Sequence, residues 1–435
     1  MDIGTRVEMF IDRHLIREMT GCALRLNPPV RMEKVMEFDR PWESETSGYI
    51  TVLNDNGLIR MYYRGITESP DGVSGAVTCC AYSSDGITFA RPLLGLHDFN
   101  GSQDNNIILR GVPEAHNFTP FLDSNPCAPS SMRYKAVGGC EHTGANMGRL
   151  FGLYSDDGII WNRFSDEPLM TDGMFDSQNV AFFDANTGMY RCYARYFENS
   201  DLENPAPYKG IRAIKSFVSS DFLNWTKAGN NIYDVPSAEE FYTNATVCCP
   251  GAEHHYLSFP KRFMPERNRD FFTAADGVSD AVFMSSRDGI HWDRTFMEAW
   301  VRPGLDRRNW VNRNNMPALG IIDTGGNEFS MYISENYRTP TSGIRRLSIR
   351  KFGFASVHAG SETGYFVTTP LVFGDYPLQI NYSTSAAGHI KVGIIGSDGS
   401  LLDESGIIYG DEIFEEVAFN KPAGFYKGRE LSLSS

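Results

Sequence analysis

Five groups of side chains able to do chemistry stand at comparable places along this chain. Glu43 ends Arg40-Pro41-Trp42-Glu43, and Asp176 opens Asp176-Ser177-Gln178-Asn179. The others are His116-Asn117, Tyr242-Thr243-Asn244 and Asn312-Arg313-Asn314-Asn315. Each group lies just ahead of, or opens, a short apolar run. Two carboxyl groups facing one ligand can give a proton on one side and take one on the other. His116, Asn117, Gln178, Asn179, Tyr242, Asn244, Arg313 and Asn314 would add directional hydrogen bonds to a polar ligand. If the fold brings these groups together, Glu43 and Asp176 are the expected catalytic pair. Asp176 would be base or nucleophile and Glu43 the acid. Each residue also has a plainer reading, as a solvated charge, a turn cap or a satisfied strand end. Their common position favours the chemical one.

That position follows from a repeat. A small residue, Asp or Asp-Gly, two residues and an aromatic recur at Ser83–Phe89, Ser155–Trp161, Ser219–Trp225 and Ser285–Trp292. The aspartates Asp85, Asp157, Asp221 and Asp288 are 72, 64 and 67 residues apart. Asp bonds the backbone of its own turn and Gly accepts positive φ, so the motif closes a hairpin. These four aspartates are expected to be structural. Aromatic-rich strands recur in step, at Arg60–Arg64, Arg133–Val137, Tyr190–Ala194, Tyr256–Phe259 and Phe329–Ile333. Each follows an apolar run: Gly48–Leu53, Asn117–Leu122, Val180–Phe183, Ala245–Cys249 and Pro317–Ile322. Five four-stranded meanders predict an all-β fold, a five-bladed β-propeller. In a ring, the starts of the innermost strands converge on one mouth. A β-sandwich with coincidental turns is the competing fold.

The expected domains are a propeller over 1–350, including an N-terminal segment, and a small C-terminal β-sandwich over 351–435. In the latter, Phe366–Phe373, Leu378–Ser383, His389–Ile395 and Ile407–Tyr409 read as strands, and the sandwich is expected to lack its last strand or two.

The formal net charge is −14, which disfavours nucleic acid and anionic membrane as partners. Neutral sugars are compatible. No apolar run is long enough to span a bilayer, and the N-terminus lacks a signal-peptide core. The chain as given reads as cytoplasmic, or as secreted or periplasmic if a signal was removed. The eight cysteines include Cys79-Cys80 and Cys248-Cys249 but no CxxC, so they read as small buried hydrophobes rather than a zinc site. No cofactor or metal is expected for the chemistry.

Several phrases carry a resemblance. Arg60-Met61-Tyr62-Tyr63-Arg64-Gly65 and Tyr82-Ser83-Ser84-Asp85-Gly86 are similar to blade strands of the furanosidase propeller clan, glycoside hydrolase families 32, 43 and 68. Tyr242-Thr243-Asn244-Ala245, Phe259-Pro260-Lys261-Arg262-Phe263 and Trp310-Val311-Asn312-Arg313-Asn314-Asn315 resemble a family-32-like bacterial group, many of them planctomycete proteins. The resemblance implies a glycoside hydrolase acting on a plant or algal oligosaccharide. It does not carry the catalytic residues over. Family 32's WMNDPNG, RDP and EC phrases are missing, and family 43's blade-one Asp, blade-two Asp and blade-three Glu are not matched. The Asp turn also resembles that of sialidases, which have six blades.

Cleaving a glycosidic bond calls for an acid and a base or nucleophile. A non-catalytic carbohydrate-binding propeller is the alternative, and a protein-binding scaffold the third reading. Asp280, Glu298 and Glu335 compete as carboxylates. Lys261-Arg262 could reach a substrate carboxylate or sulfate, or lie on a blade edge.

Overall fold

The computed structural model describes residues 1–67, 75–144, 147–199, 209–235, 239–268, 277–422 and 424–434. The described residues are all-β, with three short 3₁₀ turns and no α-helix. They form two compact units: 29–325 with 329–348, and 1–28 with 326–328 and 349–435.

The larger unit holds five successive antiparallel meanders. The first sheet runs Gly48–Asp55, Leu58–Thr67, Gly75–Ser83, Ile107–Arg110. The second runs Thr119–Leu122, Tyr134–Gly144, Met147–Ser155, Asn162–Arg163. The third is Val180–Asp184, Met189–Glu198, Ile211–Ser219, Thr226–Asn230. The fourth is Val247–Cys249, Ala252–Ser258, Met284–Ser286, His291–Asp293, with Ile232–Tyr233 added in parallel at its edge. Beside it, Lys261–Met264 pairs with both Glu240–Phe241 and Val278–Ala281. In the fifth, Ile322–Asp323, Glu328–Glu335 and Gly343–Arg350 are completed by Val30–Glu37 from far upstream.

Apolar residues on alternating strand positions pack between neighbouring sheets. Tyr62, Cys80 and Ile108 meet Ala136 and Leu153, joining the first and second sheets. Phe121, Val137 and Leu150 meet Ala181, Cys192 and Phe217, joining the second and third. Tyr193 and Ile214 meet Tyr256, Met284 and Trp292, joining the third and fourth. Ile50, Val52, Met61 and Tyr63 meet Ala318, Ile322, Tyr332 and Ile344, joining the first and fifth. The cysteines follow the same logic. Cys79, Cys80, Cys192 and Cys249 are buried and reduced.

The Asp turns behave as expected. In each, one carboxylate oxygen accepts two backbone N–H groups: Ile87 and Thr88 for Asp85, Ile159 and Ile160 for Asp157, Leu223 and Asn224 for Asp221, Ile290 and His291 for Asp288. These bonds hold Asp85 and Asp221 at about 2, below the usual carboxylate range. The turns also tie sheets together. Tyr62 donates to the Gly158 carbonyl (2.9 Å), Tyr193 to Gly289 (2.8 Å) and Tyr332 to Gly86 (2.8 Å). A Cβ on Gly158 would come within 2.6 Å of the Tyr62 hydroxyl, so these turns need glycine for packing as well as for φ.

In the smaller unit, residues 1–28 supply strands of their own rather than extending the first sheet. Ile16–Thr20 pairs with Tyr365–Thr368, and Cys22–Leu26 with Ala355–Ala359. Glu430–Ser434 lies between Tyr365–Thr368 and Gly393–Ile395. Gln379–Ser383 and Asp411–Glu416 form a separate pair. Among the described residues, no helix is long and apolar enough to cross a membrane.

Candidate functional site

A cavity of about 310 Å³ opens in the larger unit, lined by Asp176, Arg212, Tyr242, Phe263, Asn312 and Arg313. That is at the small end of the range for ligand sites. Its residues come from the approaches to the third, fourth and fifth sheets and from strands beside them. Tyr242 is held by its own backbone, its N–H donating to the Lys261 carbonyl (2.9 Å) and its carbonyl accepting from Ser177 Oγ (2.7 Å).

Tyr242 is the centre of the arrangement. Its ring is surrounded by cations: Lys261 Nζ at 3.6 Å from the centroid, and the guanidinium carbons of Arg195, Arg212 and Arg313 at 4.8, 5.3 and 5.9 Å. Cations over a π face attract it. Asp176 forms an ion pair with Arg195, whose side chain is almost wholly buried. Burial alone would push the Tyr242 phenol up. Arg195 and Arg313 outweigh it, with hydrogen bonds from Tyr49 and Arg195, and bring it down to about 7. Neighbouring Tyr49 moves the other way, raised by burial and by the charge of Tyr242. Lys261 is fully buried, and its Nζ makes no hydrogen bond to the described residues. Burial first, then Arg313, Arg212, Arg195 and Arg64, draw it well below the ordinary lysine range.

The backbone here is unusual. Tyr49 (φ 53°), Asn117 (φ 56°), Ala245 (φ 41°) and Arg313 (φ 62°) all adopt the left-handed region without being glycine. They fall at matching points of four of the five meanders, where each approaches or enters its first strand. Strain of this kind costs on the order of 1–3 kcal/mol per residue and persists where the surroundings over-determine it.

The expected site residues divide. Asp176, Tyr242 and Arg313 line the cavity. His116 and Asn117 are not among its lining residues and engage Arg64. Arg64 Nη1 donates to Asn117 Oδ1 (3.0 Å) and is 3.5 Å from His116 Nε2. The Arg64 guanidinium in turn covers the Tyr49 ring at 4.4 Å. Gln178 is buried and donates to the Ile50 carbonyl (2.9 Å). Asn179 donates to the Phe175 and Ser177 carbonyls. Asn244 accepts from the Thr246 N–H, and Asn314 accepts from the Tyr337 N–H (2.7 Å). These four amides bond backbone groups and are not among the residues lining the cavity.

Glu43 does not line the cavity. Its side chain is fully covered, and its oxygens accept from Arg91 (2.9 and 3.0 Å), Tyr63 (2.6 Å) and the Arg40 N–H. Glu43 is thus paired with Arg91, and of the two expected carboxylates Asp176 alone is among the cavity-lining residues. Of the other carboxylates, Asp280 holds Arg262 bidentately and Glu335 pairs with Arg31 and Arg345. Lys261 and Arg262 part company, since Lys261 turns to Tyr242 while Arg262 joins Asp280 and Glu239.

Arg195 and Arg212 were not singled out by the sequence, because they lie in the second and third strands of the third sheet and not ahead of a first strand. A signal existed. Arg64 stands two residues after Tyr62, and Arg195 two after Tyr193, the tyrosines that reach the glycine turns.

No family model matches the chain, and no curated protein matches it. Solved structures do. A protein described as "Glycoside hydrolase" shares 12% identity over 74% of this chain and 92% of its own, with a TM-score of 0.50. A second, described as a BT0996 RGII complex, shares 13% identity over 78% and 96%, also at 0.50. At such identity the likeness concerns the fold alone.

Proposed function

We propose that the chain is a carbohydrate-active enzyme that hydrolyses a glycosidic bond in the Tyr242 cavity. The larger unit is read as a five-bladed propeller of the furanosidase type. The strand Val30–Glu37 completing the fifth sheet supports that reading, as does the Tyr332 bond from the fifth sheet back to the Gly86 turn of the first. The 1–28 and 349–435 unit is read as a small β-sandwich.

One observation carries the catalytic reading. A carboxylate and a phenol set near neutrality share one buried arginine, Arg195, at the wall of a small polar cavity. A proton donor works best when its pKa lies near the operating pH. Tyr242 takes the acid role that the sequence had assigned to Glu43, and Asp176 keeps the role of base. In the reaction, the bond between the anomeric carbon and the leaving oxygen breaks. Its electron pair goes to that oxygen, which takes the Tyr242 proton. A water oxygen bonds to the anomeric carbon and gives its proton to Asp176. Solvent then returns a proton to Tyr242 and removes one from Asp176. Arg195 pairs with Asp176 and steadies the phenolate left behind.

The test is a screen of plant and algal oligosaccharides with product detection, run on the wild type and on Asp176→Asn. Reducing-end product from the wild type, lost in the variant, is expected. Sugar binding with no product from either protein would instead favour a carbohydrate-binding propeller.

A further inference from the structure

The chain as a whole is strongly acidic, yet the surroundings of Tyr242 and Tyr49 are strongly basic. Five cations gather there: Arg64, Arg195, Arg212, Lys261 and Arg313. Two have carboxylate partners, Arg195 with Asp176 and Arg212 with Glu240. Among the described residues the other three have none. Arg64 is met by Asn117 Oδ1 and the Thr46 carbonyl, and Arg313 by the Tyr337 hydroxyl at 3.4 Å. Lys261 is fully buried, and its Nζ lies 3.6 Å from the Tyr242 ring centroid and makes no hydrogen bond to the described residues.

Burying charge without a counter-charge is expensive. Even with Lys261 drawn toward its neutral form, Arg64 and Arg313 have no carboxylate partner among the described residues, and a Tyr242 phenolate offsets one charge at most. A neutral sugar would leave the imbalance in place. An oxyanion would remove it, and guanidinium groups suit the planar fork of a carboxylate. Arg212 and Arg313 line the cavity and are the two that can meet it.

We propose that the cavity takes a sugar bearing an acidic group, a carboxylate or sulfate, held between Arg212 and Arg313 with Lys261 behind Tyr242. This rests on the carbohydrate reading above and names its substrate class. The excess of positive charge would also select against neutral glycans, because specificity is a difference between affinities.

The test is calorimetric binding to the full chain of glucose, glucuronic acid, glucose 6-sulfate and inorganic phosphate. At least about tenfold tighter binding of an acidic sugar than of glucose is expected, weakening as salt is added. Arg313→Ala should lose most of that preference and Arg313→Lys keep part of it, with thermal melts showing both folded. Equal affinity for glucose and the acidic sugars would overturn the proposal. So would binding of phosphate alone, coupled to faster turnover of a neutral glycoside, which would make the anion a co-substrate. Acidic-sugar binding without turnover of any glycoside would sink the hydrolytic reading and leave this one standing. Hydrolysis confined to neutral glycosides would do the reverse.

Discussion

Two clusters in the larger unit contain the same three groups and behave oppositely. Around Glu43, a carboxylate, Arg91 and Tyr63 form a closed knot. Around Asp176, a carboxylate, Arg195 and Tyr242 form the wall of a cavity. Burial, with the nearby Cys79 and Glu43, raises the Tyr63 phenol well above its ordinary value. Tyr242 is lowered to about 7. The difference lies in charge balance. One arginine faces Glu43 and Tyr63 at bonding distance, whereas four cations ring Tyr242. Residue type alone does not decide how a buried phenol is shifted. The surplus of one sign of charge around it does.

Exchanging the carboxylates breaks the comparison most sharply. Asp176→Asn should lower turnover by roughly 10²–10⁴-fold with little change in melting temperature, read by product formation and by a thermal scan. Glu43→Ala should do the opposite. Removing one partner of a buried ion pair costs about 3–5 kcal/mol, while turnover per folded molecule stays near wild type. If Glu43→Ala lost turnover without losing stability, the closed knot would have to be a working part.

The tyrosines separate next. Tyr242→Phe should cost turnover within the same general acid range, and Tyr63→Phe about 1 kcal/mol of stability with turnover intact. Titration sharpens the contrast further. Turnover should fall as pH rises through about 7, because the acid form of Tyr242 is lost there. Tyrosinate absorbance should appear over the same range, vanish in Tyr242→Phe and persist in Tyr63→Phe. A depressed folded value adds stability that is complete above the ordinary tyrosine value and is lost as pH falls through about 7. The stability gap between wild type and Tyr242→Phe should therefore widen from pH 7 upward, as measured by denaturant midpoints.

The smallest effect is expected at the repeated turns. Asp85→Asn should lower the melting temperature slightly and leave turnover alone. The stability held by the Asp85 carboxylate is present above its ordinary value and disappears as pH falls through about 2. The variant and the wild type should thus converge in strong acid.

These contrasts also show what the sequence could tell. The meanders were legible because turn chemistry is local. Asp85, Asp157, Asp221 and Asp288 bond backbone two and three residues away, so spacing alone revealed them. Asp176, Tyr242 and Arg313 were legible because strand starts share a repeat position. Glu43 shared that position too, but Arg91, 48 residues on, claimed it. Arg195 and Arg212 were hidden for the same reason, since their importance lies in contacts across sheets, whereas Lys261 was legible as a candidate anion contact but not as the neighbour of Tyr242. Residues 1–28 were read with the repeats that follow them, but their strand partners lie more than 300 residues downstream.

The strand Val30–Glu37 has a history as well as a place. During synthesis it leaves the ribosome about 300 residues before Gly343–Arg350, the partner it pairs with. At typical elongation rates that is a wait of roughly 15–60 s. For that time an unpaired strand edge is open to the wrong neighbour. Its alternating Arg31, Glu33, Lys34 and Glu37 charges are suited to keeping such an edge soluble until the nascent chain delivers its mate.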